Sequence, residues 1–265
     1  MGHHNIHYAG DPYANSGVWS PPTSRANFCE EDYVITFYLA EFMNALTNVA
    51  YVYPALCAMY GPGGRGIFSP KWDFMSISLL VLGVTSFLFH ATLRQTLEFA
   101  DEFSMLGLTW SMLQATLTAR QSPKRSRFIS MFLAVIYGAF AIYYIQTANI
   151  LHQVIAFAIA LISVLLRSLY LFHWARPRFP EAKSRDWSVR LWQSAFISLF
   201  GYFIWNIDLE FCTELRALRQ RLGLPWAWLL EFHGWWHILT AVGASHFMQI
   251  AREVREELER EKKLQ

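Results

Sequence analysis

Charge is what this sequence has least of. Only 16% of the residues are charged, against about 25% in a soluble domain. With 54% hydrophobic residues, that balance excludes an ordinary soluble domain and points to the membrane class. Lysine is scarcer still: five stand beside seventeen arginines, and none falls inside an apolar run. A retinal-type Schiff base within a helix bundle is thereby excluded. The net charge of +2 offers no basic field for a nucleic-acid partner. The first thirty residues lack an apolar h-region, so no cleavable signal peptide is expected and the first span directs insertion. Ile6 stands where myristoylation of Gly2 needs Ser or Thr. Low-complexity tracts and internal repeats are absent as well.

What the chain does have is long apolar runs. About 20 apolar residues let a helix cross the hydrocarbon. Seven runs qualify, at 36–60, 74–93, 99–119, 128–146, 150–173, 189–208 and 226–250. Gly61-Pro62-Gly63-Gly64, Ser122-Pro123-Lys124-Arg125 and Arg176-Pro177-Arg178-Phe179-Pro180 punctuate them. The expected fold is an all-α seven-transmembrane helix bundle.

Its orientation follows from Lys and Arg. With the amino terminus lumenal, Arg65, Lys71, Arg120, Lys124 and Arg125 fall on the cytosolic side, with twelve more from Arg127 to Lys263. Only Arg25, Arg94, Arg216, Arg219 and Arg221 fall on the lumenal side. The bias of seventeen to five places the carboxyl terminus in the cytosol. There, 252–263 alternates Arg or Lys with Glu and reads as a solvated helix continuing the last span. Lys262-Lys263-Leu264-Gln265 resembles a dilysine retrieval signal, which suits the endoplasmic-reticulum membrane, with the Golgi as the alternative. Cys29 and Cys212 both face the oxidising lumen, where disulfides form, although spacing does not prove pairing. Cys57, near the cytosolic end of the first span, reads as a free thiol.

Ionisable groups inside spans are costly and mark function. Ser86 and His90 are four apart at the end of the second span, and His233 and His237 are four apart near the start of the seventh. Each pair shares a helix face. Asp101 opens the third span, so all five residues fall in one lumenal-side layer. Three imidazoles with an open fourth position make a catalytic zinc site. Zinc acidifies water and polarises a carbonyl. Asp101 suits the general base and Ser86 the oxyanion donor that amide hydrolysis needs. The plain alternative is three histidines that only hydrogen-bond between helices. His152, His173 and His246 lack paired spacing and are read that way.

A second cluster is acidic. Asn27-Phe28-Cys29-Glu30-Glu31-Asp32 is followed, nine residues on, by Glu41. Hard oxygen donors suit calcium, but the run is not an EF-hand loop, and a solvated acidic head accounts for it equally. Asn44 and Asn48 share a face with Glu41 and read as interhelical glue. Asn206 and Asp208 read as packing or supporting groups.

Taken together, these residues resemble the alkaline ceramidase family. Trp19-Ser20-Pro21-Pro22-Thr23-Ser24 and Phe28-Cys29-Glu30-Glu31-Asp32-Tyr33-Val34 are similar to its amino-terminal signature. Tyr38-Leu39-Ala40-Glu41-Phe42-Met43-Asn44, Ser86-Phe87-Leu88-Phe89-His90, Asp101-Glu102, Trp205-Asn206-Ile207-Asp208 and His233-Gly234-Trp235-Trp236-His237 complete the match. The histidine pairs alone would also suit adiponectin-receptor-like receptors, which usually have a cytosolic amino terminus. The resemblance implies a ceramide-type lipid substrate, hydrolysed to a sphingoid base and a fatty acid. It implies zinc on His90, His233 and His237 with Ser86 and Asp101 beside it. It further implies a Cys29–Cys212 disulfide and calcium at Asn27, the Phe28 carbonyl, Glu30, Asp32 and Glu41. The family usually has Asp-Trp at Asn27-Phe28 and Asn at Asp32. Acid and amide have changed places here, so the ligand charge is unchanged, and Phe28 for Trp should not matter if only its carbonyl binds. The implied organisation is a lumenal head at 1–35, a seven-helix hydrolase domain at 36–250 and a cytosolic tail at 251–265.

Overall fold

The computed structural model describes residues 11–61, 70 and 72–264. His3, His4 and His7, Gly2 and Ile6, most of the Gly61–Gly64 punctuation, Arg65, Lys71 and Gln265 lie outside them. The regular elements among the described residues are all helices: α1 (Phe42–Thr47), α2 (Val49–Tyr60), α3 (Phe74–Thr92), α4 (Gln95–Thr118), α5 (Pro123–Thr147), α6 (Ile150–His173), α7 (Glu181–Glu210), α8 (Cys212–Leu222), a 3-10 turn (Trp226–Leu230) and α9 (Phe232–Leu264).

Each of the seven apolar runs falls on helix, and the punctuation between them becomes caps. Asp73 caps α3, and Ser122, with Pro123 in the first turn, caps α5. Asn149 caps α6 through the Leu151 amide at 3.1 Å. Three helices, Phe74–Thr92, Pro123–Thr147 and Ile150–His173, are by length and composition able to cross a membrane, or four if the bent pair α7–α8 is one span. In the most apolar window of α5 only 6% of residues are buried by the protein, and in α6 17%. Phe128, Met131 and Val135 lie open on α5. Apolar faces of that extent need a non-aqueous neighbour, which lipid supplies.

The structure departs from the expected spans in two places. The first helix begins at Phe42, six residues late. The chain before it spends its amides on the end of α3: Ala40 N–H donates to the Ala91 carbonyl and Glu41 N–H to the His90 carbonyl, both at 3.0 Å. Those carbonyls have no partner within α3. The second departure is α8, a charged helix bent 88° from α7 in a stretch read as connection.

The chain divides into two compact units. The first comprises Met1–Ser104 with Ile197–Val242, and the second Met105–Phe196 with Gly243–Gln265. In the first, α2 and α3 meet closely at Gly83, where a Cβ would come within 2.8 Å of Val52 and 3.0 Å of Tyr51 Cβ. In the second, the tail of α9 corrects the solvated reading. Val254 and Glu257 are buried, and Glu253, Glu257 and Glu261 meet Arg190, Lys183 and Arg120. A four-residue repeat of Glu puts all three on one face.

Candidate active site

All the predicted site residues fall in the first unit. The i,i+4 spacing of His233 and His237 on α9 works as the helix geometry requires, and α3 brings His90 to them. One ring nitrogen from each of the three lies within 4.8 Å of the other two, and all three residues are buried. The group could hold a metal ion. His90 Nε2 is buried with no protein partner, which is how an imidazole presents itself to a metal. Burying such a nitrogen unpaired costs about 1–3 kcal/mol.

The outer nitrogens are held. His90 Nδ1 lies 2.6 Å from Glu41 Oε2, and His237 Nδ1 lies 3.0 Å from Thr47 Oγ1. A carboxylate or hydroxyl behind an imidazole fixes which nitrogen faces inward and raises ligand basicity. Thr47 reaches His237 because α9 carries Gly234 there. A Cβ on Gly234 would meet Thr47 Cγ2 at 3.0 Å. Sequence reading assigned Glu41 only to the acidic cluster and passed over Thr47. The available signal was their spacing with Asn44 at the start of the first span.

Ser86 hydrogen-bonds the side chain of Asp101, and both are buried. Asp101 Oδ1 has no protein partner. Tyr51 links this pair to the histidines: its ring lies 6.0 Å from that of His237 and it interacts electrostatically with Asp101. Its hydroxyl meets Thr240 Oγ1 at 2.5 Å.

The acidic segment packs directly beside the histidines. Cys29 and Cys212 form a disulfide with Cα atoms 5.3 Å apart. Arg216 and Arg219 donate to the Cys29 carbonyl at 2.8 and 2.6 Å, and Arg219 also pairs with Glu231 at 2.7 Å. Arg216 and Arg219 thus hold the head. Glu98 accepts from the Arg25 and Ala26 amides at 2.8 and 2.9 Å. Within the segment, Glu30, Asp32 and Glu41 are buried, and Asn27 Oδ1 and both Asp32 carboxyl oxygens have no protein partner. Glu30 accepts from the Met43 and Asn44 amides at 2.6 and 2.8 Å, and so closes the start of α1. Burial, with Glu41 beside it, pushes the Glu30 carboxyl up to about 8. Burial, then Glu41 and Asp11, push Asp32 up to about 8.

Several smaller expectations change. Phe28 brings more than its carbonyl to the site: its ring lies 4.0 Å from the His233 ring and 5.1 Å from His90. Asn44 and Asn48 bond locally, to Glu41 at 3.0 Å and to the Asn44 carbonyl at 2.8 Å, not between distant helices. Asn206 likewise donates to Tyr202 O at 2.7 Å within α7. Asp208 is fully buried beside the Cys29 and Phe232 amides. Of the other histidines, His173 meets Ser188 at 2.8 Å and His152 meets Tyr143 at 3.4 Å. Nδ1 of His246 has no partner among the described residues. Cys57 is free and exposed.

Comparison with known proteins gives the family. A family model described as Ceramidase matches residues 20–265. Alkaline ceramidase YPC1 of Saccharomyces cerevisiae is 30% identical over 253 residues, covering 90% of this chain and 79% of its own length. Mouse alkaline ceramidase 3 is 29% identical over 231 residues, covering 86% of this chain and 82% of its own. An alkaline ceramidase of Arabidopsis thaliana is 26% identical over 245 residues, covering 89% and 87%. A match that runs from the head through the tail and takes in every site residue leaves one assignment: this chain belongs to the ceramidase family.

Proposed function

We propose that this ceramide-hydrolysing enzyme is a zinc-dependent intramembrane amidase, releasing a sphingoid base and a free fatty acid from a ceramide. The observation that carries the reading is the buried triad of His90, His233 and His237, with His90 Nε2 left without a protein partner. Three nitrogen donors suit zinc with one position open. When bound, zinc would supply a Lewis acid for the amide carbonyl and lower the pKa of a water toward about 7.

The chain's own residues do the rest. Glu41 and Thr47 fix the inward nitrogens of His90 and His237. Asp101, with Oδ1 unengaged, takes the proton from the attacking water and returns it to the leaving amine. Ser86 donates to Asp101 and orients it, and once Asp101 has taken the proton the Ser86 hydroxyl is released to donate to the charge that develops on the carbonyl oxygen. The acyl chain lies in apolar space while the amide meets the polar layer.

The proposal extends to the rest of the sequence reading. Seven crossings with a lumenal amino terminus put the site on the lumenal side, supported by the Arg and Lys bias. The exposed Lys262-Lys263 pair favours the endoplasmic reticulum. Asn27, the Phe28 carbonyl, Glu30, Asp32 and Glu41 would hold calcium. The unengaged oxygens of Asn27 and Asp32 and an all-oxygen donor set support that choice. Glu41 belongs to both sets, so calcium would brace the head against His90.

Purified protein given ceramide tests the reading. His233→Ala and Asp101→Ala should lose release of sphingoid base. Release equal to the parent in both would overturn it.

A further inference from the structure

Outside the histidine site, the second unit contains a cavity of about 800 Å³ at the junction of α4, α5, α6 and the tail of α9. Its charged lining is Arg120, Arg176, Arg255 and Lys262 against Glu259 and Glu261. Four cationic residues line it with two carboxylates, so the lining is net positive in formal charge. Arg120 is the fixed point. It donates to both oxygens of Glu261, at 2.7 and 2.9 Å, and lies 4.1 Å over the Phe179 ring. Its Nε–H is buried and has no protein partner. An ordered guanidinium with one donor unused, on the wall of a cationic cavity, suits an oxyanion.

Size and surroundings identify the anion further. A volume of this order suits a ligand well beyond a bare phosphate. Ser122 and Ser126 of α5 line the cavity, and Phe128, Met131 and Phe132 follow on the same helix, open and apolar. Residues two apart lie on opposite sides of a helix, so α5 turns its serines to the chamber and its open apolar side chains away from it, and a cationic chamber stands beside a helix whose outer face lipid covers. Basic pockets between membrane helices take anionic lipid headgroups on this physical basis.

We propose that this cavity binds the phosphorylated headgroup of an anionic phospholipid, with its acyl chains reaching into the lipid beside α5. This site is separate from the ceramide-cleaving centre, and its test does not involve ceramide turnover. The full-length protein in neutral detergent would be titrated with a short-chain phosphoinositide, and bound lipid counted by native mass spectrometry. Short-chain phosphatidylcholine and inorganic phosphate serve as comparison ligands. One phosphoinositide per chain should be retained at concentrations where phosphatidylcholine is not. Arg176 and Lys262 are exposed, so the double variant Arg176→Gln, Lys262→Gln keeps the fold. It should weaken binding about tenfold. Glu259→Gln should strengthen it, and Arg127→Gln, outside the cavity, should leave it unchanged. Equal retention of phosphatidylcholine, or parental binding by the double variant, would overturn the proposal. So would displacement by equimolar inorganic phosphate, which would make this a free-phosphate site.

Discussion

Glu253, Glu257 and Glu261, on the tail of α9, each close on a cation of their own. Glu30, Asp32 and Glu41, in the first unit, are buried beside one another, and Glu41 makes the other two harder to ionise. The tail resolves its charge inside the protein. The head gathers like charges, leaves both Asp32 oxygens unengaged and backs one carboxylate onto His90. The proposed calcium would balance the like charges of the head, whereas the tail pairs are balanced already. On that proposal the tail carboxylates serve the fold and the head carboxylates serve a ligand.

The widest contrast would come from Asp101, the proposed catalytic carboxylate. Asp101→Asn should lower turnover by about 10²–10⁴-fold while zinc content stays at the parental level. A comparable loss from a tail carboxylate would erase the distinction between the two sets. Next in size is Glu41→Gln, which keeps the shape but removes the charge behind His90. Metal affinity should fall about 10–100-fold in a competitive chelator titration, and parental affinity would show that Glu41 merely fills space.

Calcium discriminates the two carboxylate sets directly. At calcium concentrations near 100 times Kd, the parent should gain about 2.7 kcal/mol of stability, read as a rise in melting midpoint. Asp32→Ala should abolish that gain, and Glu253→Gln should retain it. If chelating calcium leaves both activity and midpoint unchanged, the calcium assignment fails.

The smallest effect belongs to the tail. Arg190 hydrogen-bonds Glu253 and holds its carboxyl below the usual glutamate range, and Trp187 Nε1 adds a hydrogen bond at 2.7 Å. A depressed folded-state pKa contributes stability that is present above the unfolded value and lost as pH falls through the folded one. Glu253→Gln should therefore cost less than about 1 kcal/mol at pH 7, since the pair is half exposed, and nothing in acid below both values. Midpoints of parent and variant measured across that range should converge as pH drops.

The sequence revealed the histidine triad because imidazoles four apart on one helix must share a face, and because polar groups inside apolar runs stand out. The disulfide followed from family resemblance, and the all-helical character from hydropathy. What stayed hidden depended on tertiary approach. Nothing local to Thr47 announces that Gly234 lets α9 come close enough for a bond to His237. Nor does anything local to Phe28 announce that its ring packs at a tilt against His233, 4.0 Å away. Helix α8 was passed over because hydropathy looks for apolar length, whereas this helix is held by a disulfide and by arginines that reach back to Cys29. The tail was read as solvated because its composition is charged. Only the pairing of its Glu face with Lys183 and Arg120 shows that it docks.

The most direct test of the central claim is to strip the purified protein with a strong chelator and titrate zinc back while following sphingoid-base release from ceramide. The account predicts that release is lost on stripping and returns to a plateau at one zinc per chain, with no return in His233→Ala. Undiminished release from protein shown by elemental analysis to be free of zinc would contradict it.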